Sequence, residues 1–589
     1  MSDLFAIVRC HVLDALRAAV PDLPEDALAR VEVTPPRDPA HGDMATNAAL
    51  VAAKPARMAP GKLAEALVAE LRKVPLLAEV TAAGPGFINL RLQTAALQAL
   101  LPQILREGLH FGDSQAGAGQ RVNLEYVSAN PTGPMHIGHC RGAVVGDALA
   151  NLMQKAGFEV TREYYINDAG NQVQVLGWAT YWRYLQALGT TLTEEEYSNQ
   201  VPGGLQYRGE YLVAVAEKLV AQYGDQLAPG AVVADPALWL DLVRDFTIEC
   251  MMTEIREDLA LLGVRHDVFV SERVMLESGA VERAIAFLTA EGLVYEGTLE
   301  PPKGKLPDDW EPRAQTLFRA TQFGDDVDRP LRKSDGSNTY FANDIGYHAD
   351  KLGRGAEILI DVWGADHGGY VSRMQSAVKA LAGNRPVGLD VLLCQIVHVL
   401  RDGQPVRMSK RAGTYVTLRD LIEWVGRDAV RFTMLMRKPD AQMEFDLDLA
   451  VSQTRENPVF YVQYAHARCR SVLRAAAERY GEMALAESDV SRLESPPELD
   501  VLRRLMAWPR MVQAAAIARE PHRIAFFLYD LAADFHMLWN RGKDDSALRF
   551  LQAEDDKGNL ARLALVAAVA SVIRSGLAVL GVEPVEEMR

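Results

Sequence analysis

The sequence predicts a multidomain α/β protein: a small α+β N-terminal domain, a Rossmann-like doubly wound domain with a connective insertion, and an all-α C-terminal helix bundle. Three observations predict it. At 589 residues the chain exceeds what one hydrophobic core can organise, and its length suggests about three or four domains. From about 114 to 390, strand-like and helix-like stretches alternate, as in a sheet covered by helices on both faces. After about 450, long amphipathic runs carry few glycines or prolines. With 49% hydrophobic and 24% charged residues, the composition is that of an ordinary globular protein.

The first domain spans 1–113. An amphipathic helix is expected to about Val20, then an apolar-polar stretch (ARVEVTPP), a turn around His41 to Asp43, and a helix from about Gly61 to Lys73. Gly84, Pro85 and Gly86 turn the chain into an alternating strand in which Phe87 and Asn89 share a face. Such a pair is either an ordinary hairpin with an exposed ring or a platform for a nucleic-acid base. A linker (GDSQAGAGQ, 112–120) leads to the doubly wound domain, 114–390, whose insertion is expected at about 185–300.

The densest information lies in NLEYVSANPTGPMHIGHC, from Asn123 to Cys140. An alternating strand passes through Thr132, Gly133 and Pro134 into a helix expected from His136 to a stop at Gly157. Both His136 and His139 then sit on the first turn, where free N–H groups and the helix dipole favour an anion such as a nucleotide phosphate. They could equally do no more than cap the helix. Cys140 follows at the same helix start, and packing is the expected role. Far downstream, in the 391–450 region, VRMSKRAG places Arg407, Lys410 and Arg411 in one short loop, which by itself reads as a solvated basic turn.

In the last domain, 451–589, the stretch Asn457 to Arg474 has three arginines and no acid. Tyr461, Tyr464 and Arg468 recur at i, i+3 and i+7, putting two rings and a guanidinium on one helix face. That face belongs either to the core or to an RNA surface, where bases stack at about 1–3 kcal/mol each. A net charge of −16 does not favour a polyanionic partner at long range. Fields are screened within roughly 8 Å at physiological salt, however, so a local basic and aromatic surface can still bind RNA, in a salt-sensitive way. The five cysteines form no CxxC pair, which points to a reducing compartment and no structural zinc. No apolar run is expected to reach the ~20 residues that cross a bilayer, and the first residues lack the pattern of a signal peptide, so a cytoplasmic location with no membrane partner is expected.

Together, His136-Ile137-Gly138-His139 and Arg407-Met408-Ser409-Lys410-Arg411 resemble the HIGH and KMSKS signatures of class I aminoacyl-tRNA synthetases. Within that class the chain resembles the arginyl-tRNA synthetases of bacterial type over nearly its whole length. The resemblance rests on Glu125, Tyr126, Ser128, Asn130, Pro131 and Thr132, on YINDAGNQ (Tyr165 to Gln172), on Leu317 to His348, DVWGADHGGYV, GRDAVRF and NPVFYVQYAHAR, and on Glu587, Met588 and Arg589. It implies a ligase that joins L-arginine to the α-phosphate of ATP and passes arginyl to the 3′ end of tRNA(Arg), with Mg2+ on the pyrophosphate. It also implies a monomer whose activation step requires tRNA.

The resemblance assigns roles residue by residue. His136, His139, Arg407, Ser409 and Lys410 would serve the chemistry, with Gly138, Gly364, Asp366 and Met408 completing the ATP site. Glu125, Ser128, Asn130 and His139 would hold the amino-acid end of arginine, and Tyr340 and Asp344 its guanidinium. Phe87 and Asn89 would meet the tRNA D-loop, while Tyr461, Tyr464, Arg468, Phe535, Trp539 and Met588 would meet the anticodon. The chemistry agrees, since a guanidinium demands planar anionic partners, and a site built on such hydrogen bonds discriminates by roughly 10⁴ without an editing domain. Asp344 could instead cap a helix beginning at Ile345, and Asp366 could be a strand-end turn acid. Two positions depart from the pattern: Arg407 stands for the first lysine of KMSKS, and Gly133 replaces a lysine that some arginyl enzymes carry before the histidines.

Overall fold

The computed structural model describes residues 3–299, 314–406 and 416–588. They form two compact units, Met1–Ala116 together with Gln453–Arg589, and Gly117–Ser452. The second unit is built on five parallel strands: β1 (Arg121–Glu125), β2 (Glu159–Ile166), β3 (Val268–Ser271), β4 (Ile358–Gly364) and β5 (Leu389–Cys394). Their spatial order is β3-β2-β1-β4-β5, which is the doubly wound arrangement, with its switch point between β1 and β4. The central strand β1 is covered on both faces, so even Asn123 is buried, donating to Glu163 Oε2 at 2.7 Å.

Helix α1 (Ile137–Lys155) lies close against the end of β1 because Gly146 leaves room: a Cβ there would stand 2.3 Å from the Tyr126 ring. The same helix fastens the 391–450 region. Buried Arg141 donates to the carbonyls of Gln395, Lys438 and Ala441 at 3.1, 2.8 and 2.7 Å, and Arg431 pairs with Asp147 at 2.5 Å.

The expected insertion boundaries are corrected. Helices at Asn171–Ala187, Glu194–Ser198, Tyr211–Tyr223 and Pro236–Leu262 share an aromatic core that includes Trp178, Tyr181, Trp182 and Trp239. They lead into β3, so the 185–300 span runs through a strand of the main sheet. A separate antiparallel sheet (Val294–Gly297, Gln315–Phe318, Arg329–Pro330) follows before α2 (Tyr340–Gly353) and β4. At four residues, β3 is too short to show its period.

In the first unit, four antiparallel strands (Val33–Thr34, Met44–Thr46, Leu77–Ala83, Phe87–Leu92) pack with helices Leu4–Ala19 and Pro60–Leu71. The bundle part contains α3 (Pro458–Tyr480), α4 (His522–Asp544) and α5 (Asp556–Leu580). Several polar contacts join the early and late parts of this unit. Gln98 Nε2 donates to the Ser491 and Leu493 carbonyls, Arg503 pairs with Asp43 at 2.7 Å, and Trp508 Nε1 donates to the Phe111 carbonyl at 2.9 Å.

The expectation of no long apolar run is also corrected: α5 has the length and hydropathy to span a bilayer, with a mean hydropathy of 2.2 over its most apolar stretch. Arg574 interrupts the run without lowering its average enough. Most of that stretch is buried in the protein, as expected of a helix that is apolar all round at the centre of a bundle.

Candidate active site

At the end of β1 the backbone turns through Val127 (φ +72°) and Ser128 (φ +38°), two successive non-glycine residues in the left-handed region. For β-branched valine this is an outlier, of the kind that costs about 1–3 kcal/mol and gathers at functional sites. The turn brings Ser128 Oγ to donate to Glu125 Oε1 at 2.8 Å while accepting from the Tyr165 N–H at 3.0 Å. Exposed Asn130 donates to Gln172 Oε1 at 2.9 Å.

The two histidines do cap α1. His136 Nδ1 accepts from the Gly138 N–H (3.1 Å), His139 Nδ1 accepts from the His136 N–H (3.3 Å), and the rings stack 4.0 Å apart. A neutral ring that accepts at Nδ1 carries its proton at Nε2, so capping leaves each histidine a donor. Gly138 leaves room for this cap, because a Cβ there would stand 2.8 Å from the His136 ring and push it from the helix start.

The chain comes back to this helix start at 416–418: Ile137 N–H donates to the Val416 carbonyl, Leu418 N–H donates to the Met135 carbonyl, and His136 bridges Thr417. Arg407, Met408, Ser409, Lys410 and Arg411 lie outside the described residues.

Helix α2 begins at Tyr340 under a Thr339 cap, so Asp344 is in its second turn and is not the cap. Tyr340 is 72% exposed. The Asp344 carboxyl accepts from Tyr370 Oη at 2.5 Å, and burial pushes its pKa up to about 6. One and two turns on, His348 and Lys351 are buried against the sheet. Lys351 Nζ lies 2.5 Å from Glu125 Oε2 and 2.9 Å from Asp361 Oδ1, and His348 Nε2 lies 3.0 Å from Asp361 Oδ2. Burial alone would raise the Asp361 carboxyl, but Lys351 and His348 outweigh it and hold it down at about 2. Burial likewise opposes the charge of Glu163, which Arg354 (2.6 and 2.9 Å), Lys351 and Tyr347 offset to leave its pKa lowered.

Glu125, Asp168, Glu272 and Asp344 all press their negative charge on half-buried Tyr165, whose hydroxyl pKa is raised first by burial and then by these carboxylates. Glu272 is itself raised, by burial and then by Asp344 and Asp168. Carboxylates thus gather at this end of the sheet, a chemistry suited to planar, positively charged donors. Gly364 is the last residue of the adjacent strand β4 and Asp366 lies just past it, both exposed, three and five residues beyond the Asp361 that stands opposite Glu125 in register. The site residues of β1, α1, α2 and β4 thus gather at the carboxyl ends of the strands beside the switch point. Cys140 is fully buried and its thiol is pushed up to about 12, a packing residue.

Sequence reasoning missed Lys351, Asp361, His348, Glu272 and Tyr370. Asp168 was visible inside YINDAGNQ, and Lys351 stands seven residues after Asp344, a helical spacing that places both on one face.

In the first unit, Phe87 is 43% exposed and shares the outer face of its strand with Asn89. On α3 and α4, Arg468 donates to Tyr464 Oη (2.9 Å) and His536 Nδ1 (3.0 Å), its guanidinium 4.1 Å from the Tyr464 ring centre and 4.9 Å from that of Trp539. The Tyr461 ring lies 4.6 Å from His536, whose pKa burial pushes down to about 4. Phe535 departs from expectation: it is 1% exposed, packed against Phe550 and Trp539, and supports the Trp539 ring from beneath with no face of its own to offer. Met588 is partly exposed at the end of a segment tied to α3 through Gln463 to Glu583 O, His466 to Val585 O and Arg470 to Glu586.

Residues 8–92 match the family model described as the arginyl tRNA synthetase N terminal domain, 100–190 that of the class I (R) tRNA synthetase catalytic domain, and 462–588 the DALR anticodon binding domain. The arginine–tRNA ligase of Gluconobacter oxydans is 61% identical, the alignment covering 100% of this chain and 98% of that protein. That of Xanthobacter autotrophicus is 56% identical, with both chains covered in full. The solved Thermus thermophilus arginyl-tRNA synthetase superposes with a TM-score of 0.71 at 23% identity, covering 99% of this chain and 100% of that one, a likeness of fold.

Proposed function

Because the chain belongs to the arginine–tRNA ligase family, we propose that it activates L-arginine with ATP and transfers it to the 3′ end of tRNA(Arg), with activation dependent on that tRNA. The arginine carboxylate attacks the α-phosphorus, the bond to pyrophosphate breaks, and the terminal ribose hydroxyl then attacks the arginyl carbonyl and releases AMP. No protein nucleophile takes part, so catalysis is positioning and charge stabilisation. Magnesium enters as the ATP complex, held by phosphate oxygens.

His136 and His139 donate to the phosphate and ribose side from Nε2, Gly138 lets ATP approach the helix start, and Gly364 and Asp366 meet the adenosine. Arg407, Met408, Ser409 and Lys410 serve the phosphates, and Lys410→Ala lowers kcat while sparing arginine binding. Glu125, Ser128, Asn130 and His139 take the amino-acid end, Tyr340 and Asp344 the guanidinium. Residues 1–113 contact the tRNA D-loop through Phe87 and Asn89, 391–450 carry the MSK loop and a stem contact, and 451–589 read the anticodon through Tyr461, Tyr464, Arg468, Trp539 and Met588. The enzyme works as a cytoplasmic monomer, a reading that rests on the family resemblance.

The observation that carries the substrate assignment is the cluster of carboxylates around Tyr165 at the switch point, Asp344 bonded to Tyr370 among them. The test is ATP–pyrophosphate exchange across the amino acids, with and without bulk tRNA, at two salt concentrations. Exchange with arginine alone, and only when tRNA is present, is expected. Exchange without tRNA refutes the tRNA dependence. No exchange with any amino acid refutes the ligase reading and directs attention to Arg407 and Gly133.

A further inference from the structure

Lys351 is fully buried and takes no part in the chemistry above. Its helix α2 carries Asp344, His348 and Lys351 at i, i+4 and i+7, one face turned to two neighbouring strands. Glu125 and Asp361 stand opposite each other in register on those strands, and the Lys351 ammonium bonds to both. The second oxygen of each carboxylate is also engaged, that of Glu125 by Ser128 Oγ and that of Asp361 by His348 Nε2. The other His348 nitrogen, Nδ1, faces the Asp344 carbonyl at 2.8 Å. A continuous path therefore runs from half-buried Ser128 through buried Glu125, Lys351, Asp361 and His348 to the backbone of half-buried Asp344.

We propose that Lys351 is a positioning residue for arginine selection. It fixes the carboxylate of Glu125 and, through Asp361 and His348, sets the spacing between that group and Asp344, so one buried network reads both ends of the amino acid. This rests on the assignment of Glu125 and Asp344 to arginine. Without Lys351, two carboxylates on adjacent strands face each other with their shared cation gone, and Glu125 is held only through Ser128.

The test compares Lys351→Met, Glu125→Gln and the double variant in tRNA-supported ATP–pyrophosphate exchange, with thermal melting alongside. Lys351→Met is expected to raise the KM for arginine at least tenfold while the KM for ATP stays within about twofold. Adding it to Glu125→Gln should raise the KM for arginine by less than about twofold, because the group it positions is already altered. A Lys351→Met enzyme with lowered melting temperature and active fraction but an unchanged KM for arginine overturns the proposal and leaves Lys351 a structural residue. If that variant does not fold, Asp361→Asn takes its place: it leaves the Lys351 bond to Glu125 intact and weakens the link to His348. A KM for arginine unchanged in Asp361→Asn overturns the proposal as well. Should Glu125→Gln alone leave that KM unchanged, the assignment of Glu125 to arginine fails first, whereas a raised KM there with none in Lys351→Met refutes only the role of Lys351.

Discussion

Lowering the pH should weaken arginine recognition before it harms the fold, and the Asp344 carboxyl sets the size of the effect. Burial raises it from the ordinary 3.8 to about 6. With a midpoint there, about one molecule in ten carries the charge at pH 5, so the apparent KM for arginine should be about tenfold higher at pH 5 than at pH 8. Full protonation forfeits at most the ratio set by the shift, about two decades if bound arginine returns the group to its normal range.

The sign for stability is opposite. Between about pH 4 and 6 the folded state binds more protons than the unfolded one, so the contribution of this group falls as pH rises, by about 3 kcal/mol once complete. Arginine should offset that cost and stabilise the enzyme more at pH 7.5 than at pH 5. The assay is kcat/KM for arginine from pH 5 to 8 with tRNA saturating, with circular dichroism to confirm folding and Asp344→Asn as comparison. The wild-type profile should rise about one decade per unit below pH 6, and the asparagine variant should be weak and flat there. A wild-type profile level between pH 5 and 7 in folded enzyme refutes the reasoning.

Arg431→Met should remove about 3–5 kcal/mol of unfolding free energy in urea melts of the whole chain, because it leaves buried Asp147 with only the looser Arg162 contact at 3.9 Å and takes a donor from the Leu262 carbonyl. In Gly146→Ala the new methyl enters the Tyr126 ring, and a loss of about 1–3 kcal/mol in the same melts is expected; no loss would mean that helix and strand separate easily. Arg468→Lys keeps the charge and loses the fork between Tyr464, His536 and Trp539, so tRNA binding by filter retention should weaken by about 1–2 kcal/mol, roughly 5- to 30-fold.

Contiguous features were legible in the sequence. Strand β1, the turn after it and the paired histidines lie within one short stretch, and local rules of capping, turns and alternation suffice to place them. The same holds for Phe87 and Asn89, whose shared face follows from the period of two. The network around Lys351 was not legible, because it joins residues more than 200 positions apart and nothing local marks which carboxylate a helical lysine will meet. Thr339 caps α2 in place of Asp344, because the helix starts at Tyr340, a turn earlier than the sequence reading allowed. Phe535 and Trp539 share a helical stripe, and only the packing partners decide that Phe550 closes over Phe535 and leaves Trp539 nearer the surface.

The first unit is discontinuous: its early part is made long before its late part, with Gly117–Ser452 between them. At ribosomal speed those roughly 340 residues take about 20–70 s to appear. During that interval the Phe111 carbonyl lacks Trp508, Asp43 lacks Arg503, and Leu97, Leu101 and Ile104 lack the bundle that later covers them. The apolar α5 arrives last, after α3 and α4 are already made. Nascent chains halted anywhere within the central unit should therefore hold chaperones by their N-terminal portion, and release should await the final hundred or so residues.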